Sequence, residues 1–163
     1  MEVVIMAIEY TLLLKDKKLS EEVLIKNIKS MGYSCNKIEP ISKGVCINLN
    51  EEIGLSIFLF DSWNYPYNSW ETILPQGIFL SERVLECRMI KDYSAFEQRY
   101  NFMLKLFFDL MSELNEDAIL VSNGDTELCF FRRNRPVLLN NRSGIWNRNC
   151  FEDIIVNRDV CYL

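Results

Sequence analysis

Four carboxylates, Asp61, Glu71, Glu82 and Glu86, lie in or beside a segment crowded with aromatic side chains. Two carboxyl groups facing each other across a sugar can hydrolyse a glycosidic bond, one as the acid and the other as base or nucleophile. With 23 acidic residues in the chain, however, such neighbours arise by chance. Other chemistries find less support. The chain has no histidine, so neither a Ser-His-Asp nor a Cys-His arrangement can be built, and the commonest general base and metal ligand is missing. No Gly-x-x-x-x-Gly-Lys or Gly-x-Gly-x-x-Gly spacing is present to cradle phosphates. The six cysteines, Cys35, Cys46, Cys87, Cys129, Cys150 and Cys161, are scattered singly with no Cys-x-x-Cys among them. They read as small core residues of a reducing cytoplasm, not as disulfides or a zinc site. No catalytic residue, cofactor or metal ligand is assigned on these grounds.

The aromatic segment runs from Asp61 to Gly77 and sets Trp63, Tyr65, Tyr67 and Trp70 among Asn, Ser and Pro. This composition breaks both helical and strand periodicity and predicts a long loop. Long loops in compact folds usually have a task, and Trp and Tyr offer large rigid contact area with a polar handle. Two readings stand level: an interface built from Asp61, Trp63, Tyr65, Tyr67, Trp70 and Glu71, or aromatics folded down as a satellite of the core. A sugar-stacking or small-ligand role is a third.

The elements that must position this segment come from hydrophobic patterning. Strands are predicted at Ala7–Leu14, Val45–Leu49, Leu55–Phe60, Val84–Ile90, Ala118–Val121, Thr126–Phe131 and Pro136–Leu139. Ser20 can cap a short helix over Glu21–Met31, with Leu19 and Leu24 as a staple and Gly32 as the stop. Phe96, Tyr100, Met103, Phe107, Leu110 and Leu114 recur at helical spacing, after a capping box at Ser94-Ala95-Phe96-Glu97. Asn123-Gly124 between two apolar runs predicts a hairpin. The fold class expected is α+β: a predominantly antiparallel sheet of about five to seven strands carrying one short N-terminal helix and one long amphipathic helix.

A length of 163 residues suits one domain. The apolar start lacks the marks of a signal peptide, and no apolar run reaches the length of a membrane span. A net charge of −5 argues against general nucleic-acid binding; Arg132, Arg133 and Arg135 read as a solvated hairpin tip. Together these features predict a cytoplasmic protein, monomeric or weakly homodimeric, that acts by binding.

Several segments resemble a family of bacterial immunity proteins from polymorphic toxin systems, of the kind paired with Sit-type toxins exchanged between neighbouring cells. They are Met6-Ala7-Ile8-Glu9-Tyr10, the helix start Leu19-Ser20-Glu21-Glu22, Tyr93 with the long helix, the run Asp117-Ala118-Ile119-Leu120-Val121-Ser122-Asn123-Gly124-Asp125, and Trp146. Met1–Ile5 precede the usual start, which makes Met6 an alternative initiator, and the aromatic middle segment departs from the pattern. The resemblance implies a cytoplasmic protein that binds one cognate toxin domain and masks it stoichiometrically. The alternatives are a carboxylate-dependent enzyme or ligand-binding module using residues 61–77, and a regulatory interaction module unrelated to toxins.

Overall fold

The computed structural model describes residues 7–90, 96–146 and 154–163. Met1–Met6, Tyr93, the Ser94-Ala95 half of the capping box, Cys150 and Phe151 lie outside the described residues.

Strand β1 (Ala7–Leu14) alternates strictly: Tyr10, Leu12 and Leu14 are buried on one face, while Thr11 and Leu13 are half-buried on the other. That alternation recurs in β3 (Gly44–Leu49), β4 (Leu55–Asp61) and β7 (Arg83–Ile90), whose core-facing residues include Ile47, Ile57 and Leu85. β8 (Ala118–Ser122) and β9 (Thr126–Arg132) are buried on both faces, as expected of strands covered from both sides.

Helix α1 (Glu21–Ser30) begins where Ser20 Oγ accepts the Val23 amide at 3.2 Å, and it buries Leu24 and Ile28. Gly32, at φ 96°, follows its end. A single turn, α2 (Asn50–Ile53), joins β3 to β4. The long α3 (Phe96–Leu114) buries a wide stripe because three neighbours share it. The sheet lies beneath; Tyr33 after α1 meets Phe102 edge-on at 4.9 Å; Trp146 meets Phe108 at 6.1 Å.

The five-to-seven-strand expectation is overturned. One sheet holds nine strands in the order β11-β10-β9-β8-β1-β7-β4-β3-β2, and β5 (Ser69–Thr72) with β6 (Gly77–Leu80) forms a separate two-stranded sheet. The large sheet is mixed, since β10 (Arg135–Leu139) pairs parallel with β11 (Val160–Tyr162). There are three α-helices among the described residues, not two. The physical reason lies in the missed elements. Edge strand β2 (Ile38–Ile41) is almost wholly exposed and contains Pro40, so it has no alternating signature. β11 spans only 3 residues, α2 only one turn, and β5 and β6 only 4 residues each. Each is too short for a period to show.

The Asn-Gly hairpin forms as expected, with Asn123 at φ 50° and Gly124 at φ 74°. Asn123 also continues the sheet past the turn: its amide donates to the Glu9 carbonyl at 2.8 Å, and its side-chain oxygen accepts the Glu9 amide. Five cysteines, Cys35, Cys46, Cys87, Cys129 and Cys161, are free thiols, and burial pushes those of Cys87 and Cys129 far up.

Candidate functional site

The two faces of the large sheet are covered differently. The first carries α1 and α3 over the main core. On the second, Leu13, Ile119, Val121, Phe130 and Leu138 would lie open to water, and the β5–β6 hairpin covers them with Leu74, Phe79 and Trp70. The segment predicted as a loop is therefore partly a sheet, with Trp70 opposite Phe79 and Glu71 opposite Ile78.

What holds the hairpin down is a single carboxylate. Glu127, on β9, is buried, and its two oxygens accept the Trp70 indole N–H at 2.9 Å and the amides of Ile73 and Leu74 at 3.0 and 3.3 Å. Three donors satisfy a group whose burial would otherwise be costly. Phe79 meets Phe130 edge-on at 6.3 Å, adding an apolar contact to the polar clamp.

The turn leading into the hairpin is also braced. Tyr67 N–H donates to Asn64, Ser69 N–H to Pro66, and Ser81 N–H to Asn68, all to backbone carbonyls; the Tyr65–Pro66 peptide is cis. On this frame Trp63, Tyr65 and Tyr67 stand 55%, 71% and 83% exposed. The outer hairpin face adds Ile73, Ile78 and Leu80, all exposed. Lys43 Nζ sits 4.6 Å from the centre of the Trp63 ring and holds that indole by a cation–π contact.

The six residues singled out from sequence thus divide. Trp63, Tyr65 and Tyr67 are each exposed on the turn. Trp70 is folded down, so the interface and satellite-core readings each describe part of the segment. Glu71 projects from the outer hairpin face beside Ile78. Asp61 lies on the helix-covered side of β4, in line with Leu55, Ile57 and Leu59. Its Oδ1 accepts Arg83 Nε at 3.1 Å and Nη2 at 2.9 Å, and Lys17 approaches to 3.5 Å. Partial burial works against the Asp61 anion, but these hydrogen bonds and charges outweigh it and hold its carboxyl below the usual range. Arg83 also donates to the Leu19 carbonyl, so the group secures the entry to α1.

The carboxylates considered for glycoside chemistry do not converge: Asp61 and Glu86 lie on opposite faces of the sheet, Glu71 on the hairpin and Glu82 in an exposed turn. Among the described residues, no group of three or more Cys, Asp or Glu is placed to hold a metal ion. No helix among them is long and apolar enough to cross a membrane.

Sequence reasoning missed two features. Ile78 and Leu80 belong to an apolar run, Ile78-Phe79-Leu80, that could have signalled a strand. Glu127 heads the apolar run Leu128-Cys129-Phe130-Phe131 within the predicted strand, and a charge at that place is a signal for a buried polar clamp.

A family model described as SitI3-like matches residues 8–150. Comparisons with curated proteins and with solved structures returned no match.

Proposed function

The chain belongs to the SitI3-like family, a Sit immunity-protein family, and from that membership we propose that it binds one cognate toxin domain and neutralises it by stoichiometric masking. The observation that supports a binding role on this particular surface is the aromatic turn. Trp63, Tyr65 and Tyr67 are held exposed on a hydrogen-bonded frame beside Ile73, Ile78 and Leu80. Apolar groups of this size in one region are a feature of interaction sites, and a braced turn loses little freedom on binding. Glu71 gives the patch a polar flank, and Asp61, tied to Arg83, ends the strand from which the turn leaves. The whole chain acts as one domain, in the cytoplasm, where the toxin would meet its target. A net charge of −5 favours a basic partner by steering the encounter.

On this reading a toxin gene lies directly upstream of this one, and the test uses its toxin domain. Expression of the wild-type chain should rescue cells from that toxin, and the purified pair should form a 1:1 complex. Replacing Trp63, Tyr65 and Tyr67 together by Ala should weaken binding by about 2 kcal/mol or more, roughly 30-fold in Kd, with the fold retained. Unchanged affinity in the folded triple variant removes the site; failure of the well-expressed wild type to rescue removes the function. Trp70 is left intact because it anchors the hairpin.

A further inference from the structure

The hairpin covers only part of the second sheet face. It lies over residues of β1, β8, β9 and β10. Towards β7 and β4 the same face carries two cross-strand rows, Thr11-Glu86-Phe58 and Glu9-Arg88-Ser56, set side by side by the register. None of these six is buried. The strip is thus a sheet face with no layer on it among the described residues.

Its charges do not balance. Arg88 Nε lies 3.2 Å from Glu9 and its Nη2 3.6 Å from Glu86, so one cation serves two carboxylates. Burial first, then the Glu9 charge and a hydrogen bond with the Glu9 carboxyl, push the Glu86 carboxyl upward, and Arg88 opposes them. The Arg88 guanidinium lies over the Phe58 ring, 5.0 Å from its centre, which holds this one cation in place between the two carboxylates. A sheet surface that serves structure alone gains nothing from fixing two like charges on neighbouring strands. A second cation would relieve them.

We propose that this uncovered half of the sheet face is a second docking surface, for an arginine- or lysine-bearing segment of the protein partner, whose cation inserts beside Glu9 and Glu86. The inference rests on the immunity reading and names the chemistry of the partner. Charge complementarity selects a basic side chain, and the open sheet suits a protein surface better than a small cation, which would find no walls there. The aromatic turn adjoins it: Lys43, seated on Trp63, precedes Gly44, whose register partner Phe60 continues this face of β4. One partner can therefore engage the turn and the strip together.

The experiment is titration calorimetry of the upstream gene's toxin domain against the intact chain at pH 7.5, for the wild type, Glu86→Gln, and Glu9→Gln with Glu86→Gln. Glu86→Gln alone should weaken binding by less than the double variant, because Glu9 still faces the incoming cation. The double variant should bind about 10-fold to 100-fold more weakly at pH 7.5 while still melting as a folded protein. A folded double variant that binds like the wild type, in a complex still weakened by the Trp63, Tyr65 and Tyr67 substitutions, overturns this docking surface and leaves the immunity reading intact. Absence of binding by the wild type overturns both.

Discussion

At the scale of single residues, two buried glutamates show how much neighbours decide. Glu127 has three donors and fastens an element; Glu116 is 2% exposed, and its two oxygens make no hydrogen bond of normal geometry. The backbone around Glu116 is held fast. Asn115 exchanges two hydrogen bonds with Asn134, and Asp117 accepts the Arg133 amide on its side chain and the Lys15 amide on its carbonyl. Burial, with the Asp16 carboxylate adding repulsion, pushes the Glu116 carboxyl from 4.5 up to about 7, while Lys18, the Asp16 backbone amide and Arg83 pull the other way. A raised folded-state value means that the stabilising contribution is fully present below pH 4.5 and is lost as pH rises through about 7. Glu116→Gln is therefore expected to raise the Tm at pH 8 by roughly 2 to 4 °C and to leave it nearly unchanged at pH 4.5. Thermal melts across that range check it; equal effects at both ends would contradict the assignment. Nothing in the sequence around Glu116 announced this, because its burial comes from segments distant in the chain.

At the scale of elements, those with their own periodicity and caps were legible. Ser20, Leu24 and Ile28 specify α1 locally, and Ser20→Ala should cost about 1 kcal/mol in denaturant unfolding, the usual worth of a side-chain cap. The β5–β6 hairpin was not legible. Its strands are held by contacts to β9 that lie 53 to 57 residues away, and their short runs carry no period. Glu127→Ala should leave the Trp70 indole and two amides without their partner and cost about 2 to 3 kcal/mol. Hydrogen exchange should show the loss first at Ile73 and Leu74, while the α3 amides stay protected. Uniform loss of protection would mean that the hairpin is an integral part of the main core.

At the scale of the whole molecule, the asymmetry of cover is the functional point. Helices seal one sheet face, a hairpin seals half of the other, and the aromatic turn and the charged strip remain outward. Phe107 lies at the centre of the sealed side with no exposure. Phe107→Ala should cost about 3 to 5 kcal/mol, much of the stability expected of a chain this size, and lower Tm and denaturant midpoint together. The edges matter as well. Pro40 blunts β2, and β11 ends the other side after 3 residues, so neither edge offers a long template for adding strands.

The sequence by itself determined the local content: the amphipathic α3, the capped α1, the Asn-Gly turn, the β1 alternation and the concentration of aromatics between β4 and β7. Each depends on interactions within a few residues, which composition and spacing record. Only the tertiary structure decided that Trp70 turns inward onto Glu127 while Trp63, Tyr65 and Tyr67 stay outward, that Asp61 serves Arg83, and that Glu9 and Glu86 share one arginine. Those outcomes depend on which strands become neighbours, and β1 pairs with β7 and β8 across stretches of chain whose length no local pattern encodes.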